Sequence, residues 1–236
     1  MKITIASILF SFMGPFDVGS NVLIDNQDIK KHLSDAIGEA FEKNGINSKD
    51  NFSINNISAF LFKGNALSFS ANRNRVDVLC QKMNTGADLD GNDLIKFIAD
   101  FISLLLEKTN ILLSKMVLCI TGIPSFSGEE EKQILSYLFH DDNAIGKIYL
   151  GQTVMEETTD SFKEVEVFVK TISKGLVKEN NIPKTGAQFE LRTNNLNQIP
   201  RFNKVDVNDF LEKGCDFLFK QLNSTFEFLM ENENKK

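Results

Sequence analysis

The run Ile57–Cys80, ISAFLFKGNALSFSANRNRVDVLC, decides how this chain is read. It holds three extended segments, ISAFLF, ALSFSA and RVDVLC, separated by two short polar joints. Gly64-Asn65 stands at the first joint and Asn72-Arg73-Asn74 at the second, and both are rich in residues that tolerate tight turns. The spacing predicts strands that return on one another as hairpins.

Outward from this run the periodicity changes. Upstream, Ile29, Leu33, Ala36, Ile37, Ala40 and Phe41 follow the helical repeat, with Asp25 or Asn26 as a start and Gly45 as a left-handed stop. Downstream, Leu94, Phe97, Ile98, Phe101, Ile102 and Leu105 predict a second helix over about Asp93–Lys108, with Asp90 or Asn92 as its cap. The opening MKITIASILFSFMG has the outline of a secretory signal, with small residues near Val18 and Ser20. Thr4, Ser7 and Ser11 interrupt its apolar run, and Ile3, Ile5, Ser7, Leu9 and Ser11 alternate on one side, so a first strand is expected.

The order then repeats. KMVLCIT reads as a fully buried strand, and Ser127 with Glu130 forms a capping box for a helix through about Phe139. KIYLGQTV, EVEVFVKTI and AQFELRT read as strands, and Phe210, Leu211, Phe217, Leu218, Leu222, Phe226 and Leu229 stripe a final helix over Asp209–Met230. Residues 1–110 thus form a strand-helix-hairpin-helix half, and 111–236 a half of similar layout sharing one continuous core. An α+β fold is expected, a mainly antiparallel sheet with helices packed largely on one face, built from a pseudo-duplicated unit. The best local echo between the halves is Asn74–Val78 against Asn203–Val207.

Composition excludes several functions. A formal net charge of −6 opposes bulk binding to nucleic acid or anionic lipid, since both require clustered Lys or Arg. No segment reaches the roughly 20 apolar residues of a membrane span. Cys80, Cys119 and Cys215 are odd in number, widely spaced and set in apolar contexts, which fits buried thiols in a reducing cytoplasm.

The chemical motifs fail on spacing. ADLDGNDL has acidic residues like a calcium loop, but Asp93 and Ala99 occupy the positions that require Gly and an acid. GIPSFSG lacks the spacing of a nucleophile elbow. His32 and His140 are the only histidines, His140-Asp141-Asp142 reads as a polar turn at a helix end, and the chain shows neither a Walker loop nor GxGxxG. No catalytic residue, metal site or cofactor is therefore assigned.

Arginine is the exception in this inventory. The chain has four, Arg73, Arg75, Arg192 and Arg201, all in or beside the predicted hairpins and two in each half. A guanidinium fork suits carboxylate or phosphate, so converging pairs would make a small-anion site. The plainer reading is that Arg73 and Arg75 flank a turn and keep a sheet edge soluble.

The succession LSFSANRNRVDV, LIKFIADFISLLLEKTN, KMVLCITGIP and VDVNDFLEKGCDFLFKQLNSTFEFLM resembles a sporadically distributed group of uncharacterised bacterial proteins of similar length. The resemblance spans most of the chain and weakens around Thr193 to Asn203. It implies a role in phage or plasmid conflict and supplies no catalytic residues. Three functions stay open at this point. They are a cytoplasmic protein acting through contact with a protein partner, with self-association allowed; a small-anion or nucleotide sensor using the arginine hairpins; and a carboxylate-dependent metal enzyme.

Overall fold

The computed structural model describes residues 2–18, 27–46, 58–84, 86–89, 91–140, 147–154, 165–179, 182–193 and 200–233. The element order is β1 (Ile3–Val18), α1 (Gln27–Lys43), β2 (Ser58–Phe62), β3 (Asn65–Gln81), α2 (Asn92–Thr109), β4 (Lys115–Pro124), α3 (Gly128–Phe139), β5 (Ile148–Val154), β6 (Val165–Glu179), β7 (Ile182–Thr193) and α4 (Lys204–Glu233). Every strand pairing is antiparallel, and the sheet order is β2-β3-β1-β4-β7-β6-β5.

β3 is extended throughout but does not run straight. The Ser68 hydroxyl lies 3.4 Å from the Leu79 carbonyl, 11 residues further along, whereas a straight strand would hold them ~36 Å apart. The segment therefore doubles back near Asn72–Asn74, the joint expected from its sequence. Its first limb pairs with β2 and its second with β1. Counting both limbs, the described residues form eight antiparallel strands, in an order that reads alike from either end about the β1–β4 pair. Each half is strand, helix, three strands, helix, and the two opening strands lie side by side at the centre.

Local chemistry accounts for the ends of these elements. Phe62 pairs with Asn65, so Lys63 and Gly64 form a two-residue turn with φ of 50° and 77°, the geometry that a tight hairpin demands. Gly45 ends α1 with φ 66°. Ser127 and Glu130 form the expected capping box on α3, and His140 closes that helix in the left-handed region. The α2 start differs from expectation. Its cap is Gly91, at φ 89° and with no side-chain bond, because a Cβ there would lie 2.7 Å from Phe219 Cε2 and 3.1 Å from Cys215 Sγ. α4 also begins earlier than predicted. Asn203 Oδ1 accepts from the Val205 and Asp206 amides, while Asp206 accepts from the Asn203 amide, so Asn203 is the cap and Asp206 its reciprocal partner.

Two strand readings are corrected. In β1 the register slips between Ile5 and Ser7. A bulge there reverses the alternation, so Ile8, Phe10 and Phe12 face the helices while Leu9 and Ser11 face away. β4 is not buried on both sides: Met116, Leu118 and Ile120 point into the core, whereas Val117, Thr121 and Ile123 remain half-buried on the other face. The echo between Asn74–Val78 and Asn203–Val207 carries no structural equivalence, since one lies in β3 and the other begins α4.

The apolar stripes of all four helices join one core with Phe10, Phe12, Leu118, Phe189, Leu191 and their neighbours on one side of the sheet. Both halves feed it. The first contributes a tight aromatic group in which Phe41 stacks on Phe97 with ring centroids 5.4 Å apart and meets Phe60 at 4.9 Å. Among the described residues no helix covers the opposite side, and none is long and apolar enough to cross a membrane.

Candidate functional site

The open side of the sheet can be followed as cross-strand rows. One runs Asp77, Ser11, Val117, Arg192, Val167 across β3, β1, β4, β7 and β6. The next runs Leu79, Leu9, Cys119, Glu190, Val169, and a third runs Gln81, Ser7, Thr121, Gln188, Thr171, Leu150. The middle row is thus apolar except at Glu190, which reaches Arg192 in the row beside it, and neutral polar groups line the other flank. Cys119 and Val169 are buried within this layer. Gln188 donates to Cys119 Sγ at 3.0 Å, and burial leads the causes that push the Cys119 thiol up to about 12.

Two of the four arginines share this face. Arg75 Nε donates to Asp77 at 2.7 Å and its Nη2 to Ser11 Oγ at 3.1 Å. Arg192 pairs with Glu190, two residues before it on the same strand. Ser11 and Arg192 lie two strands apart in one row, a separation of ~10 Å. Each guanidinium therefore already has a carboxylate beside it, and the surface alternates in sign. Arg201 lies elsewhere, its guanidinium 4.8 Å from the Phe202 ring centre and its amide bonded to the Leu113 carbonyl beside the α4 start. Arg73 belongs to β3, directly across from Val18, and its side chain lies outside the described residues. The structure thus sets Arg75 and Arg192 on one face, on β3 and β7 with β1 and β4 between them, and places Arg201 elsewhere.

A second site lies on the helix side, where β5 and β6 meet α3 and α4 as a cavity of about 690 Å³. Tyr137 of α3, Tyr149 of β5 and Lys170 of β6 line it, together with Gln221, Ser224 and Thr225 of α4. These are both tyrosines of the chain. Lys170 stands on the core side of its strand between Phe168 and Ile172, its ammonium 5.5 Å from the Phe189 ring centre. Burial holds that ammonium below lysine's ordinary range. The motif reading missed this residue. Its signal was the alternation Phe168-Lys170-Ile172, which puts a cation on the apolar side of a strand.

Beside the cavity, Glu131 fastens α3 to the β6–β7 pair. Its carboxylate accepts from Thr185 Oγ1 at 2.7 Å, the Thr185 amide at 3.2 Å and Lys174 at 3.2 Å. Burial works to raise the Glu131 carboxyl, but the bonds from Thr185 and Lys174 outweigh it and hold it below its ordinary value. Among the described residues no three His, Cys, Asp or Glu side chains gather as a metal site requires. The chain matches no protein-family model and no curated protein.

Proposed function

We propose that the chain is a non-catalytic binding protein that recognises a protein partner through the open face of its sheet. The observation that carries this reading is the layout of that face, a middle row that is apolar except at Glu190, with the Arg75–Asp77 pair and Arg192 along one flank and neutral polar residues along the other. Stable protein interfaces share that anatomy, an apolar centre inside a polar margin. The charge pairs alternate in sign, which suits a partner with complementary pairs better than a uniformly charged polymer. The resemblance drawn from the sequence extends the reading to a bacterial, cytoplasmic protein acting in conflict with phages or other mobile elements.

Affinity capture from the native host with three forms of the protein tests it. The wild type is expected to recover a stoichiometric protein partner. The double variant Arg75→Glu/Arg192→Glu is expected to lose it while keeping the wild-type circular dichroism. A helix-side control, Lys213→Glu, is expected to keep it. Capture that is unchanged by the double variant, or no stoichiometric partner at all, overturns the proposal.

A further inference from the structure

The two halves arrange the same elements differently where the second strand of each meets its first helix. In the first half, β2 sends Phe60 and Phe62 into this compartment, where they join Phe41, Phe69 and Phe97. The rings there lie in mutual contact, with centroids 4.9 Å to 6.2 Å apart. In the second half the corresponding strand, β5, presents Tyr149, and its neighbour β6 presents Lys170 where a sheet core ordinarily takes an apolar side chain. Gly151, directly across from Lys170, adds no side chain, and a Cβ placed on it would lie 3.7 Å from Tyr149 Cε1 and 3.9 Å from Lys170 Cβ, ordinary contact distances. Among the described residues, rings occupy this compartment in the first half and a cavity occupies it in the second.

The lining selects a chemistry for that hollow. Among the described residues Lys170 is its one cation, and burial is the cause that lowers its proton affinity. An ammonium turned toward a core without a counter-ion is costly, and a ligand anion relieves that cost. Tyr137, Tyr149, Ser224 and Thr225 bring hydroxyls and Gln221 an amide, whereas Leu138, Ile172 and Leu229 supply apolar wall. A single cation with neutral donors suits a monoanion, while a phosphate group draws on several cations or a guanidinium fork. The volume lies within the range of small-molecule sites.

From this geometry we infer that the cavity between α3, α4 and β5–β6 binds a small organic carboxylate, its head on Lys170 and its apolar body along Ile172 and Leu229. The inference goes beyond the sheet-face reading and does not depend on it, because the two sites lie on opposite sides of the sheet.

The chain lacks tryptophan and both its tyrosines line this cavity, so tyrosine emission reports on the site alone. Octanoate serves as the probe, with 1-octanol as its neutral counterpart. Octanoate is expected to change the emission saturably and to raise the melting temperature, with 1-octanol at least about tenfold weaker. Lys170→Met keeps the bulk and removes the charge, and Gly151→Leu puts a side chain into the space beside Lys170. Both are expected to lose the octanoate response, whereas Arg75→Glu/Arg192→Glu keeps it. Three results each overturn the inference: no saturable response in the wild type, equal binding of the alcohol, or an unchanged octanoate affinity in Lys170→Met. Circular dichroism of each variant separates lost binding from lost fold, and the octanol comparison on the wild type decides the matter without any variant.

Discussion

Lys170 shows how one side chain can oppose the stability of the fold around it. Its ammonium stands 5.5 Å from the Phe189 ring centre on the core side of β6, and among the described residues no carboxylate pairs with it. The folded chain therefore gives up this proton at lower pH than the unfolded chain does. With more protons bound in the unfolded state over that interval, stability rises with pH. The cost is present in full below the folded value and is relieved as pH climbs toward the unfolded one. Lys170→Met is thus expected to melt higher than the wild type at neutral pH. That advantage should shrink in melts at progressively alkaline pH. A variant that melts lower at neutral pH would show that the ammonium is compensated. Glu131 has the opposite sign. Its carboxyl is held low, so its contribution is present above the unfolded value and fades as pH falls through the folded one.

Among the elements, the helix starts rank the local contributions. Ser127 caps α3 on an exposed surface through a bond of 3.2 Å from the Glu130 amide, and Ser127→Ala is expected to cost about 1 kcal/mol. Gly91 starts α2 under two constraints at once, a φ of 89° and the ring of Phe219 where a side chain would begin. Gly91→Ala is expected to cost about 2–3 kcal/mol, since left-handed backbone and overpacking each carry a penalty. Urea titrations of the two variants check the order, and a smaller loss for Gly91→Ala would mean that α4 yields easily at Phe219. Capping motifs with both partners close in sequence were readable in advance, as Ser127 and Glu130 were. The α2 start was not, because what selects glycine there is a residue of α4 more than a hundred positions away.

For the whole molecule, the two halves share one buried cluster. Leu222 of α4 packs where a Cβ on Gly122 would come within 2.6 Å of it, close against Ile3 of the other half. Neither half closes a core by itself, so unfolding is expected to be cooperative. Tyrosine emission reports on the second half and far-ultraviolet circular dichroism on both. Their urea curves should coincide, and two separated transitions would show independent halves.

Read alone, the sequence determined what depends on near neighbours. Helical stripes, turn residues at Gly64 and Asn72–Asn74, and the repeated strand-helix-strands-helix order all follow from local periodicity, and with them the α+β class. Only the tertiary structure decided what depends on which strands meet. The bulge after Ile5 reverses the faces of β1 through its pairing with β4. The register across β1, β4 and β7 sets Arg75 and Arg192 on one face, each against its own carboxylate, while Arg201 goes elsewhere. A lysine in an alternating strand is an ordinary sight until the pairing shows which side the helices cover. Side-chain alternation has a period of two and carries no sign, and only long-range packing supplies one.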